Sequence, residues 1–95
     1  MKKIIYTQHL KMRLGIRKFP KYYPMMIYMD PEIMFLDVIE MSNIAIKSLI
    51  YNGKHRNILI AYEEDDACVN ILTIHPITDK KIKNRIRSGR WVKNG

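Results

Sequence analysis

Cysteine is almost absent from this chain, and no apolar stretch is long enough to cross a bilayer. Cys68 is the one cysteine in 95 residues, so no disulfide can form within the chain. No group of cysteines and histidines has the spacing of a zinc site, and we expect neither a metal nor a cofactor. Acidic residues interrupt the most apolar stretch, and the apolar block at residues 1–6 is too short for a secretion signal. These absences exclude a disulfide scaffold and predict a soluble protein of the reducing cytosol that does not enter membranes.

Acidic residues are missing from the first part of the chain, so charge is unevenly distributed. Lys and Arg number 17 and Asp and Glu number 9, which gives a net charge of +8. Residues 1–29 hold seven basic and no acidic side chains, and residues 67–95 hold seven basic side chains against Asp79 alone. If the two ends meet in space, they form one positive field that attracts polyanions such as RNA. The alternative is a basic surface that only aids solubility.

The length predicts a single domain over residues 1–95. The short β-branched block Lys2–Tyr6 predicts a strand, and Thr7 is a suitable N-cap for a helix over Gln8–Arg17. This helix has an apolar edge and a cationic edge, each with a spacing of four residues. Leu10 and Leu14 form the apolar edge, and the cationic edge consists of His9, Arg13 and Arg17.

A β-hairpin is the clearest structural signal in the chain. Residues 44–51 alternate in the manner of a strand, Asn52-Gly53 is the strongest short turn signal, and residues 56–62 run back. Residues 69–75 predict a third strand, which Pro76 is expected to end.

Two further helices complete the predicted fold. Pro24 is placed to open a short helix that ends at Met29, and Thr78 or Asp79 can cap a helix over Lys80–Ser88. Residues 33–40 fit a strand and a helix equally well. The predicted order is β-α-α-β-β-β-α, an α+β domain whose antiparallel meander carries its helices on one face.

Basic side chains crowd the C-terminal segment, where like charges repel. Lys80 and Lys81 lie at the start of the predicted helix, where the helix dipole disfavours cations, and a bound phosphate would relieve both penalties. A solvated face is the alternative. Trp91 either stacks on an unpaired base or covers the edge of the core. The candidate nucleic-acid-binding residues are Lys80, Lys81, Lys83, Arg85, Arg87, Arg90 and Trp91.

Histidines are the candidates for proton transfer near neutral pH. His75 lies at the end of the predicted third strand, and His9 lies just inside the first helix. Arg56 and Tyr62 share one face of the predicted second strand. If this face lies on the same side of the sheet as His75, the two residues flank a surface that His75 also reaches. The alternative for His75 is a hydrogen-bonded histidine with no catalytic role.

Four short motifs resemble those of a family of small uncharacterised prokaryotic domains related to the RelE, ParE and BrnT toxins of toxin-antitoxin loci. The motifs are Thr7-x-His9-x-x-x-Arg13, Gly53-Lys54-x-Arg56, Ile60-Ala61-Tyr62-Glu63 and Thr73-Ile74-His75-Pro76. The likeness spans most of the chain, and the ending Asn84–Trp91 is similar to archaeal and bacterial members. It implies a RelE-like fold whose sheet surface acts on RNA, commonly as a metal-independent endoribonuclease of messenger RNA.

The resemblance also implies roles for single residues. Arg56 and Lys47 match positions that hold the scissile phosphate, and Tyr62 or His75 matches a proton-transfer group. His9 and Arg13 match the uncharacterised family. The implied partners are RNA and a small acidic antitoxin, and the resemblance allows a homodimer. The candidate catalytic residues are His75, Arg56, Tyr62, His9, Arg13 and Lys47.

Three functions are consistent with these observations. In the first, His75 or His9 removes the proton of a ribose 2′-hydroxyl, and Arg56, Lys47 and Arg13 stabilise the charge that grows on the phosphate. In the second, the same positive field binds nucleic acid without cleaving it. In the third, the basic tail binds an acidic antitoxin or subunit.

Overall fold

A computed structural model describes residues 2–94, which form a single α+β unit of six strands and three helices. In chain order the elements are β1 (Lys3–Tyr6), α1 (Gln8–Arg17), α2 (Tyr23–Met29), β2 (Ile33–Asp37), β3 (Ser42–Tyr51), β4 (Lys54–Glu64), β5 (Cys68–Ile77), α3 (Asp79–Arg87) and β6 (Trp91–Lys93).

All six strands belong to one mixed sheet in the order β1-β5-β4-β3-β2-β6. β1 runs parallel to β5, and every other neighbouring pair is antiparallel. The first and last strands therefore lie at opposite edges of the sheet. The two basic ends do not meet through their strands.

The sheet has a hydrophobic core on each side. On one side, α1 and α2 contribute Leu10, Leu14 and Ile27 to a core that includes Ile58 and Ile60 of β4. On the other side, Ile82 of α3 and Trp91 pack with strand residues that alternate with the first set: Phe35, Ile44, Ile46, Leu59 and Ile77. The prediction that all helices share one face is wrong, because β3 and β4 are apolar on both faces and α3 covers the second face.

The local sequence signals for the helices and the hairpin are confirmed. α1 spans the predicted residues, and the Thr7 hydroxyl accepts a hydrogen bond from the Leu10 amide at 3.2 Å. Asn52 and Gly53 both have positive φ and join β3 to β4, as a two-residue hairpin turn requires. Thr78, one of the two predicted caps, is the N-cap of α3 and accepts a hydrogen bond from the Lys81 amide.

The strand ends differ from the prediction. β5 runs through Pro76 to Ile77, whereas Pro76 was expected to end it. β1 pairs with β5 only as far as Ile71, so the rest of β5 has a single neighbouring strand and tolerates a residue without an N–H group. Residues 33–37 form β2 and residues 91–93 form β6, and the predicted element order lacks both strands.

Candidate active site

A bulge in β5 decides which side chains share a face with His75. Ala61 pairs with Thr73 but Tyr62 pairs with Ile71, so Leu72 is an extra residue in β5. His75 lies opposite Leu59 and therefore on the α3 side, whereas Ile71 and Tyr62 lie in the core under α1 and α2. The predicted common face of His75 and Tyr62 is not formed.

The start of α1 lies against the unpaired part of β5. The Thr7 hydroxyl is 3.0 Å from the Ile71 carbonyl and 3.3 Å from the Leu72 carbonyl, and donates to this edge. α1 thus begins where β1 stops covering β5. Its cationic edge, with His9 and Arg13, reaches the same cleft as His75.

We call this open space the His75 cleft. Its outer part has a volume of about 450 Å³, and an adjoining inner recess of about 160 Å³ shares His75, Thr73 and Ser42 with it. The polar side chains of the outer part are His9, Arg13, Glu40, Ser42, Glu63, Thr73 and His75. The inner recess adds Asp37, Arg85, Arg90 and Trp91.

His75 is held in one tautomer and in its neutral form. Its Nδ1 lies 3.0 Å from the Pro76 carbonyl oxygen. Because a carbonyl oxygen can only accept a hydrogen bond, Nδ1 must carry the proton and donate it. Burial lowers the pKa of His75 below 6.5; the bond to Pro76 opposes this shift, and the charges of Arg17, Arg13 and Arg85 add to it. At neutral pH Nε2 is therefore an unprotonated acceptor, as a general base requires.

Arginines approach His75 from two helices on opposite faces of the sheet. Arg13 and Arg17 belong to α1 and Arg85 to α3, and all three are half-buried. Arg13 Nε donates to His9 Nε2 at 3.3 Å, which joins the two α1 side chains of the cleft. Arg17 Nε is buried without a hydrogen-bond partner among residues 2–94. Segments from both ends of the chain therefore do converge, through helices rather than through strands.

Carboxylates also border the cleft. Glu40 and Glu63 are exposed on its outer part, and Glu40 lies 3.9 Å from Arg90. In the inner recess Arg90 Nε donates to both Asp37 oxygens, at 3.2 and 3.0 Å. The charge of Arg90 is thus paired with a carboxylate of the fold. Arg13 and Arg85 make no ion pair in the described part of the chain.

Three predicted catalytic residues lie away from this cleft. Tyr62 is 5% exposed and its ring packs edge-on against Tyr28, so it has no access to a substrate. Lys47 is bonded to the Asp30 carbonyl and carboxylate, both at 3.0 Å, on the α2 side. Arg56 lines a separate pocket of about 430 Å³ beside the start of α3.

The predicted nucleic-acid-binding residues divide into two groups. Trp91 is 4% exposed, stacks on Phe35 and donates to Asp37 at 3.1 Å, so it covers the core and presents no face for a base. Arg85 lies over the Trp91 ring at 5.6 Å, and Arg90 pairs with Asp37. The remaining cations are exposed on α3: Lys80, Lys81, Lys83 and Arg87.

Five polar residues of the cleft were not predicted as site residues: Asp37, Glu40, Ser42, Glu63 and Thr73. Thr73 lies two residues before His75, and the alternation of β5 alone would place it beside His75. Ser42 and Glu40 come from the end of β3 and the turn before it. Their position depends on the pairing of β3 with β4 and carries no local signal.

Residues 2–94 contain neither a metal site nor a membrane-spanning helix. No three Cys, His, Asp or Glu side chains lie close enough together to bind a metal ion. No helix in this range has the length and apolar character of a bilayer span.

Comparison with known proteins adds no relative to this description. No family model, no curated protein and no solved structure matches the chain. The link to RelE, ParE and BrnT toxins therefore stays a prediction from short motifs.

Proposed function

We propose that the protein is a metal-independent endoribonuclease of the RelE or BrnT toxin type, with the His75 cleft as its active site. The observation that carries the proposal is a neutral imidazole in an open cleft that also contains His9, Arg13 and Arg85. A strongly basic surface around such a cleft favours a polyanionic substrate.

In the proposed reaction, Nε2 of His75 takes the proton of a ribose 2′-hydroxyl while that oxygen attacks the neighbouring phosphorus. The bond from phosphorus to the 5′ oxygen breaks, and that oxygen receives a proton from water, because Nε2 of His9 accepts a bond from Arg13 and carries no proton. The products are a 2′,3′-cyclic phosphate and a free 5′-hydroxyl. The bond from Nδ1 to the Pro76 carbonyl supports this role, because it keeps the lone pair on Nε2.

Arg13 and Arg85 stabilise the charge that grows on the phosphate oxygens. A well-placed donor of this kind contributes about 3 to 4 kcal/mol to the transition state in other enzymes. Both side chains line the space that His75 lines, and neither is neutralised by a carboxylate within residues 2–94.

The exposed cations of α3 extend this surface and hold flanking phosphates. They are Lys80, Lys81, Lys83 and Arg87. A RelE-like fold, a cognate acidic antitoxin and a homodimer belong to the same proposal on the strength of the motif resemblance alone.

The test is cleavage of a single-stranded RNA by the purified full chain in EDTA. His75→Asn keeps a donor for the Pro76 carbonyl but removes the base, and we expect it to lower the rate by about 10²- to 10⁴-fold. Tyr62→Phe is the control, because Tyr62 lies in the opposite core, and its rate should stay within about twofold of the wild type once folding is confirmed by circular dichroism.

Two outcomes contradict the proposal. One is RNA that stays intact with the wild-type chain, and the other is unchanged cleavage by His75→Asn. Salt-sensitive RNA binding without cleavage would instead support the non-catalytic nucleic-acid-binding module.

A further inference from the structure

A second cavity lies on the opposite flank of α1 from the His75 cleft. Its volume is about 440 Å³, and its apolar wall consists of Tyr6, Leu14 and Phe19. The Tyr6 hydroxyl is occupied, since it donates to the Lys21 carbonyl at 2.7 Å and accepts from the Met25 amide at 3.3 Å. The cavity therefore presents apolar surface rather than a free hydroxyl.

Three lysines surround this apolar wall: Lys11, Lys18 and Lys21. All three are exposed, and none lies within ion-pair distance of a carboxylate in the described residues. The first 29 residues contain no acidic side chain that would neutralise them. A ligand that is complementary to this cavity has an apolar group with negative charges around it.

At two positions that line the cavity, another amino acid would make the folded protein more stable. Gly15 lies inside α1, where alanine is the better helix former, and an added Cβ would meet no atom within 4 Å. Lys18 ends α1 with φ of 57°, a left-handed conformation in which glycine is unstrained. The absence of a large side chain at Gly15 leaves the cavity open, and Lys18 keeps its rim positive, although alanine at 15 or glycine at 18 would favour folding. Residues that lower stability for no structural gain are expected at functional sites.

An exposed apolar ridge continues this surface along α1. Met12 is 58% exposed and Ile16 is 68% exposed, and they occupy the helical row next to Lys11 and Gly15. A small carboxylate in the cavity would leave this ridge bare. A protein segment would cover both.

We propose that this surface binds a partner-protein segment in which an apolar side chain, seated in the cavity, is flanked by carboxylates that pair with Lys11, Lys18 and Lys21. The proposal is independent of ribonuclease activity, because the cavity and the His75 cleft lie on different flanks of α1. We favour a protein segment over nucleic acid, because a phosphate backbone pairs with the lysines but carries no apolar group for the wall, and a base stacked in the cavity would leave Met12 and Ile16 bare.

The probe is a blocked synthetic peptide with one phenylalanine between two pairs of glutamates. It is titrated into the ¹⁵N-labelled full chain at low salt, and amide shifts and peptide anisotropy are measured. We expect shifts at Lys11, Gly15, Lys18 and Lys21, and weaker binding by peptides in which glycine replaces phenylalanine or glutamine replaces glutamate.

Variants locate the site. Gly15→Leu projects a large side chain at the cavity and is expected to weaken binding about tenfold or more. Gly15→Ala also replaces the helix glycine but leaves the cavity open, and its binding should stay within about twofold of the wild type. Lys18→Gly is expected to weaken binding about fivefold, whereas Lys83→Ala, which removes the same charge on α3, stays within about twofold. Thermal unfolding separates lost binding from lost folding, because Gly15→Leu and Lys18→Gly should unfold at or above the wild-type temperature.

Three results overturn the proposal. The first is the absence of shifts at these four amides with millimolar peptide. The second is an equal loss of peptide affinity in Lys18→Gly and Lys83→Ala, which would indicate a general attraction between the basic protein and the acidic peptide. The third is binding of free 4-phenylbutyrate as tightly as the peptide, which assigns the cavity to small carboxylates.

Discussion

Asp37 is a buried acid that organises one end of the sheet. It is 3% exposed, yet its carboxylate accepts bonds from Trp91, Arg90 and the amides of Ile39 and Glu40. Burial alone would raise the pKa of Asp37, but these hydrogen bonds outweigh it and the net pKa is below 3.8. One carboxylate thus fixes the turn after β2, the docking of β6 and the position of Arg90.

We expect Asp37→Asn to lower the free energy of unfolding by about 1 to 3 kcal/mol, because it removes the charged acceptor of a buried network. The folded-state pKa is depressed, so the carboxylate stabilises the fold above pH 3.8, and this stability is lost as the pH falls through the folded-state value. Urea unfolding at a series of pH values measures both effects. Glu40→Gln, at an exposed partner of Arg90, is the control and should change stability by less than about 1 kcal/mol; an equal loss would contradict the role of Asp37.

His75 should titrate below pH 6.5, because the folded state disfavours its protonated form. The same shift makes the unfolded state the stronger proton binder, so the contribution of His75 to stability is complete above pH 6.5 and is lost as the pH falls through its lower folded value. Imidazole ¹⁵N spectra measure both the pKa and the tautomer. A pKa above 6.5, or a proton on Nε2 in the neutral form, would contradict the assigned base.

At the scale of elements, α1 serves two surfaces at once. Leu10 and Leu14 bury its central stripe, His9 and Arg13 line the His75 cleft, and the opposite flank lines the lysine-rimmed cavity. Thr7 sets this orientation, since its hydroxyl bonds both to the helix and to the edge of β5. Thr7 therefore anchors the start of α1 to β5, beside the packing of Leu10 and Leu14.

Thr7→Ala should cost about 2 kcal/mol of stability, at the upper end of the range for loss of an N-cap. Thr78→Ala, which removes only the cap of α3, should cost about 1 kcal/mol. Chemical unfolding of the two matched variants gives the comparison. Equal costs would show that the bonds from Thr7 to β5 add nothing.

Elements with local signals were predictable from sequence. Leu10 and Leu14 at helical spacing after Thr7 were sufficient for α1, and Asn52-Gly53 was sufficient for the hairpin. The second hydrophobic face was not predicted. Residues 44–46 and 58–60 are continuously apolar, which suits a strand buried on both faces, but such a run does not say which element covers each face. The parallel pairing of β1 with β5 joins distant residues, and it also decides that Pro76 is tolerated.

The candidate site was only partly predictable, because the pairing of distant strand residues leaves no local signal in the sequence. His9, Arg13 and His75 were identified from residue type and position, and the structure brings them together. Tyr62 was wrongly grouped with His75 because an extra residue at Leu72 changes the face, and a bulge leaves no mark in the alternation of an apolar strand.

At the scale of the whole molecule, α1 and the sheet together keep two basic surfaces apart. The cleft and the exposed face of α3 form one surface, and the lysines beside α1 form the other. A net charge of +8 attracts polyanions to both, but we expect RNA to bind at the first surface alone. The difference is measurable as salt dependence.

RNA binding by the inactive His75→Asn chain should weaken steeply as salt rises, because each phosphate contact releases counterions. Adding Lys83→Ala and Arg87→Ala should reduce the slope of log affinity against log salt by about 2, since each contact contributes about 1. Adding Lys11→Ala and Lys18→Ala removes the same charge from the other surface and should leave the slope unchanged. Equal effects of the two pairs would contradict the assignment.

The most direct test of the central claim is the chemistry of the RNA ends after cleavage by the full chain in EDTA. We expect a 2′,3′-cyclic phosphate and a 5′-hydroxyl. A single 2′-deoxynucleotide at the cleavage position should make the substrate resistant, and the pH profile of the single-turnover rate should have its midpoint below pH 6.5. Products with a 5′-phosphate, or cleavage of the 2′-deoxy substrate at the same position, would contradict it.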